Sequence, residues 1–178
     1  MCGITGFFNP SGLDGIEAKI NIVNMRNALH HRGPDDSGEW IESENGIALG
    51  HQRLSILDIS AAGHQPMASN SGRYRIVFNG EIYNHLELRI DLDKTHRIIW
   101  RGHSDTETLL ALIDIFGLRV ALRKVVGAFA IAIWDEQTKV LSLARDRMGE
   151  KPLYYGWQNG TFLFGSELRA VSKHTSFE

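Results

Sequence analysis

The longest apolar run in the chain is VVGAFAIAIW, Val125–Trp134. A bilayer-spanning helix needs about 20 apolar residues, so this run is too short to cross a membrane and reads instead as a buried strand. Comparable stretches recur along the sequence: CGITGFF, GEWIE, GIALGHQRLSI, YRIVFNG, KVLSLARD, PLYYGW and TFLFGSE are apolar on both faces or alternate with period two. In WQNGTF, Asn159-Gly160 sits between two aromatic-rich runs and predicts a tight hairpin with positive φ. DEQTK predicts the turn of the hairpin before it. The expected core is therefore antiparallel sheet.

Two helices are predicted. From Asp14 to about His30 the apolar positions Ile16, Ile20, Val23 and Ala28 fall near helical spacing, Asp14 with Glu17 resembles a capping box, and Pro34 lies beyond the end. In SDTETLLALIDIFG, Ser104 is the N-cap, Glu107 lies three residues on, and Gly117 is the stop. This second segment is apolar on nearly every face, so it must lie between other layers or under a partner. Antiparallel strands with helices outside give an α+β class of two stacked, helix-covered sheets.

At 178 residues, 43% hydrophobic and 22% charged, the chain has the size and make-up of one globular domain, 1–178, without repeats, low-complexity tracts or linkers. The formal net charge of -2 and pI near 6.4, with scattered basic residues, argue against nucleic acid or an anionic membrane as partner and suit a small neutral or zwitterionic ligand. No basic segment followed by an apolar one opens the chain, which predicts a cytoplasmic protein.

Cys2 is the single cysteine, so no internal disulfide can form. Aminopeptidases remove an initiator methionine when the next side chain is small. Cys2 would then carry a free α-amine, with an ordinary pKa of about 7.7 to 8.0, beside a thiol with a pKa of about 8.5. One residue would supply both nucleophile and base. Attack on an amide also requires donors for the oxyanion, which Asn79 and Gly80 in VFNGEIYN could provide. Arg53 could clamp an α-carboxylate, and Glu81 with Asp105 could accept from an α-ammonium group. Each residue also has an ordinary use: Cys2 as a small strand residue, Asn-Gly as a turn, Arg53 in a surface pair, and Asp105 as a helix N-terminal charge.

Taken in order, MCGITGFF, HRGPDDSG, GHQRLSILD, FNGEIYNH, HSDTE, GAFAIAIWD and ARDRMGEKPLYYG resemble the N-terminal glutaminase domain of glutamine-hydrolysing asparagine synthetases, a class II glutamine amidotransferase. The resemblance runs from Cys2 to about Val171. It implies a four-layer αββα sandwich of the N-terminal nucleophile hydrolase type and hydrolysis of L-glutamine. It also implies Cys2 as nucleophile, Asn79 and Gly80 as oxyanion hole, Arg53 on the substrate carboxylate, Glu81 and Asp105 on its ammonium, and Arg32 ordering the site. Backbone carbonyls near Ile56 and Leu57 would also meet the substrate.

Arg145-Asp146 in ARDRMGEKP reads as a structural ion pair or a contact with a partner domain. The family continues into an ATP-dependent synthetase domain whose SGGxDS-type loop is not found here. That domain, in the same gene product or a separate chain, is the expected partner and would hold the ATP and Mg, whereas the glutaminase chemistry needs no metal or cofactor. An uncovered apolar face would permit a homodimer. Two other readings stay open: a module that binds glutamine without turnover, and a metal-binding domain built on the eight histidines. Against the latter, His30 and His31 are adjacent and no HExxH spacing occurs.

Overall fold

The computed structural model describes residues 1–178. In chain order its elements are β1 (Gly3–Phe8), α1 (Gly15–Asn27), β2 (Asp36–Glu42), β3 (Ile47–Arg53), β4 (Met67–Ala68), β5 (Tyr74–Ile82) and α2 (His85–Thr95). They continue with α3 (Asp105–Phe116), α4 (Leu118–Lys124), β6 (Gly127–Asp135), β7 (Val140–Arg145), β8 (Tyr154–Gln158), β9 (Thr161–Gly165) and α5 (Leu168–Val171). All strand pairings are antiparallel, in two sheets ordered β2-β3-β1-β9-β8 and β4-β5-β6-β7.

Three apolar clusters mark the interfaces of four layers. Ile4, Leu49, Val77, Ala132, Trp134 and Phe164 pack between the sheets. Phe7, Ala18, Ile22, Met25 and Leu163 join the outer face of the five-stranded sheet to α1. Ile76, Phe78, Leu109, Ile113 and Ile131 join the outer face of the other sheet to α3. The order is thus helix, sheet, sheet, helix, the αββα sandwich.

Local chemistry accounts for most element boundaries. Asn159 and Gly160 adopt φ of 47° and 75° at the β8–β9 turn, and Lys139 adopts 55° at the end of the β6–β7 turn. Ser104 Oγ accepts from the Glu107 N–H at 3.2 Å, and Gly117, at φ 77°, ends α3. The Glu107 carboxylate does not complete a reciprocal box. It accepts from the N–H groups of Arg101 (2.7 Å) and Gly102 (3.1 Å), holding the approach to the helix.

Asp14 caps α1 through the N–H groups of Ile16 and Glu17, but Ile16 and Ile20 are exposed and the helix buries Ala18, Asn21, Ile22 and Met25. Buried Asn21 explains the misreading. It accepts from the Thr175 N–H and donates to the Thr175 hydroxyl, so a polar residue occupies the core-facing stripe. The apolar run starting at Val125 becomes strand only from Gly127, and Val126 faces outward. Helices α2, α4 and α5 and the short β4 were not foreseen. Arg145 and Asp146 do not pair with each other. Arg145 donates to the carbonyls of Gly149 and Lys151, while Asp146 accepts from Phe129, Glu150 and Lys151 N–H groups and shapes the loop after β7.

Candidate active site

Cys2 immediately precedes β1, the central strand of its sheet. Its sulfur accepts from the Leu54 N–H at 3.4 Å and its S–H donates to the Leu54 carbonyl at 3.7 Å. Arg32 fixes the residue from behind: Nε donates to the Cys2 carbonyl at 3.0 Å, and Nη1 donates to Glu167 Oε1 at 2.9 Å. Burial pushes the Cys2 thiol pKa up, opposed by the Leu54 hydrogen bond, the amino terminus and Arg53, and reinforced by Asp105. A thiol so placed needs a base close by to form thiolate at neutral pH.

The sulfur opens onto a cavity of about 200 Å³ bordered by Arg53, Asn79, Gly80, Glu81 and Asp105, with Ile56 and Leu57 at its rim. Asn79 and Gly80 lie within β5, opposite Ala130 and Phe129, and make no turn. Asn79 is 1% exposed, and its side-chain nitrogen is buried without a hydrogen-bond partner. Such a donor is costly to leave unpaired unless a ligand takes it. Gly80 is required by its neighbours in β6. A Cβ there would fall 2.3 Å from the Ala128 carbonyl and 2.7 Å from Phe129 Cα, so the partner strand, rather than a substrate, demands glycine.

Arg53 ends β3 and is buried. Its guanidinium is already engaged: Nη1 donates to the Ser60 carbonyl at 2.9 Å and Nη2 to the Asp58 carbonyl, with Asp36 at 4.0 Å. Asp105, the first residue of α3, receives the Ile82 N–H on Oδ2 and the Thr106 N–H on Oδ1, both at 2.8 Å. Burial pushes its pKa up, and the Glu81 charge adds to this, against the lowering by the Ile82 N–H, His85 and the Thr106 N–H. Each carboxylate oxygen keeps a lone pair for a further donor. Glu81 is exposed beside it.

Asp58, Gln65, Thr106 and Lys151 also border the cavity and were not singled out from sequence. Asp58 closes the RLSILD motif, which was its one visible signal. Gln65 is recognisable only in three dimensions, where Oε1 accepts the Phe78 N–H at 2.7 Å next to Asn79. No three His, Cys, Asp or Glu side chains converge as a metal-ion site.

An αββα sandwich with the lone cysteine at the head of its central strand, lining one cavity with a residue whose buried amide nitrogen is unpaired, defines a class of fold and site. The chain belongs to the glutamine amidotransferase domain family, whose pattern matches residues 1–178. It is 40% identical over 181 residues to asparagine synthetase (glutamine-hydrolyzing) 3 of Bacillus subtilis (strain 168), covering 98% of this chain and 28% of that protein. It is 35% identical over 179 residues to amidase chry2 of Gibberella zeae, covering 96% of this chain and 26% of that one. In fold it resembles the glutamine phosphoribosylpyrophosphate amidotransferase of B. subtilis, with a TM-score of 0.79 at 21% identity over 96% of this chain and 43% of the other. The chain thus spans less than a third of the length of these two sequence relatives. No helix is long and apolar enough to cross a membrane.

Proposed function

We propose that this chain hydrolyses the side-chain amide of L-glutamine to glutamate and ammonia, with Cys2 as the nucleophile. The observation that carries this reading is the buried, unpartnered Asn79 nitrogen bordering the same cavity as the Cys2 thiol. An unpaired donor beside a nucleophile is what a developing oxyanion requires.

Loss of Met1, which is exposed at the cavity mouth, frees the Cys2 α-amine. The amine takes the thiol proton as sulfur attacks the amide carbon. Asn79 and Gly80 stabilise the tetrahedral oxyanion, and the amine returns the proton to the departing nitrogen, which leaves as ammonia. A γ-glutamyl thioester remains. Water, deprotonated by the same amine, hydrolyses it to glutamate and regenerates the thiol. Arg53 holds the substrate carboxylate, Glu81 and Asp105 hold its ammonium, Arg32 orients Cys2, and the Ile56 and Leu57 backbone closes the rim. No step calls for a metal or organic cofactor.

The ammonia serves an ATP-dependent amide-forming domain, covalently attached or separate. That domain holds ATP and Mg and sets the acceptor, so this chain alone makes no asparagine. Purified protein lacking Met1 should release equimolar glutamate and ammonia from glutamine, and Cys2→Ala should abolish the release. Equal activity in Cys2→Ala would overturn the reading, and protein that keeps Met1 should be nearly inactive.

A further inference from the structure

The two ends of the amino-acid site are built from distant segments. Arg53 and the following loop form one end, and the residues leading into α3 form the other. Two buried side chains join them: Gln65 Nε2 donates to Thr106 Oγ1 at 3.4 Å, and Asp58 makes the more extensive link. Asp58 is 7% exposed, and its Oδ1 accepts from the Ser60 N–H (2.8 Å) and hydroxyl (2.6 Å). Its Oδ2 accepts from the His103 N–H at 2.8 Å, two residues before Asp105. Burial pushes the Asp58 pKa up, but the Ser60 and His103 donors and the Arg53 charge outweigh it and hold the carboxyl down to about 2. It stays ionised at neutral pH.

The same loop also orients the guanidinium, since the carbonyls of Asp58 and Ser60 both accept from Arg53. The neighbouring glycines are shaped to this arrangement. A Cβ on Gly102 would fall 2.4 Å from Asp58 Oδ2, and one on Gly63 would fall 1.9 Å from Arg53 Nη2. The connection therefore runs from Arg53 through the loop carbonyls to the Asp58 carboxylate, then to His103, the Ser104 cap and Asp105.

The geometry points to Asp58 as a positioning residue that sets the separation between the carboxylate-binding and ammonium-binding ends of the site, making the cavity selective for an intact α-amino acid. This rests on the glutaminase reading of the same cavity. A ligand gripped through both its α-carboxylate and its α-ammonium needs the spacing held, whereas a ligand gripped through the carboxylate alone can shift to suit a loosened loop.

The test is calorimetric binding in the Cys2→Ala background, which does not depend on turnover. The ligands are L-glutamine and glutaramate, the analogue lacking the α-ammonium group. Asp58→Asn keeps the size of the side chain but turns an NH2 toward the Ser60 or His103 donors. Gly102→Ala disturbs the same oxygen from the other side. Each should raise the Kd for L-glutamine about tenfold or more while changing that for glutaramate less than about threefold, so the preference for glutamine collapses. In the active protein, the same substitutions should raise KM with kcat nearly unchanged. Unchanged glutamine affinity, or equal losses for both ligands, would overturn the role of Asp58. Binding of glutamine by Cys2→Ala without turnover in the protein carrying Cys2 would overturn the hydrolytic reading alone. Absence of any glutamine binding would overturn both.

Discussion

Replacing Asn79 by alanine removes a buried, unpaired donor on a residue that lines the cavity. Loss of an oxyanion donor costs about 10² to 10³ in rate, so Asn79→Ala should lower kcat by that factor and leave the glutamine KM nearly unchanged. Steady-state kinetics decide it: a raised KM with kcat retained would place Asn79 in ground-state binding instead. At this scale the sequence was informative wherever the chemistry demands a residue type. A lone cysteine at position two, an Asn-Gly pair and two acids near an arginine are recognisable as a set. Side-chain state was not legible. That the Arg53 guanidinium is bonded to its own loop, or that Gly80 is dictated by the backbone of β6, depends on neighbours that the chain order does not reveal.

Helix α3 is the element on which Asp105 depends. Its cap is a single side chain, with Ser104 Oγ accepting from Glu107 at 3.2 Å. Ser104→Ala should lower unfolding stability by about 1 kcal/mol, read as a reduced urea midpoint at constant slope. It should also raise the glutamine KM, because the frayed turn carries Asp105. An unchanged midpoint would mean that packing of the buried helix, rather than the cap, holds its first turn. Capping and turn signals were readable here because they act over a few residues, and α3 and the Asn159-Gly160 hairpin lie where the residues indicate. The α1 face was misread because it buries Asn21 and leaves Ile16 and Ile20 outside. In α2 only Leu92 is buried, and α4 has only seven residues, so neither shows a sustained apolar stripe.

Stacking of the two sheets buries a titratable group between them. His51 of β3 is 1% exposed, and its Nε2 donates to the Phe78 carbonyl of β5 at 3.1 Å. Burial lowers its pKa to about 4, with the Phe78 hydrogen bond and Asp36 acting upward and Arg53 and His64 downward. The unfolded chain therefore binds this proton first. Stability contributed by neutral His51 is complete above about pH 6.5 and is lost as pH falls toward 4, a change of about 3 kcal/mol. Denaturant midpoints measured across this window should fall less steeply for His51→Gln than for the unaltered protein. Equal slopes would assign the acid sensitivity to other groups. At this largest scale the class of architecture followed from strand alternation and an all-apolar helix. The pairing order, in which the last strand pairs with the first, is a long-range property that local patterning does not encode.

Cys2 as a terminal nucleophile for glutamine is tested most directly by intact mass with N-terminal peptide mapping before and after 6-diazo-5-oxo-norleucine, an electrophilic glutamine analogue. Met1 should be lost and a single adduct should form on Cys2, blocked by excess glutamine. A folded protein without Met1 whose Cys2 stays unlabelled would contradict this role of Cys2.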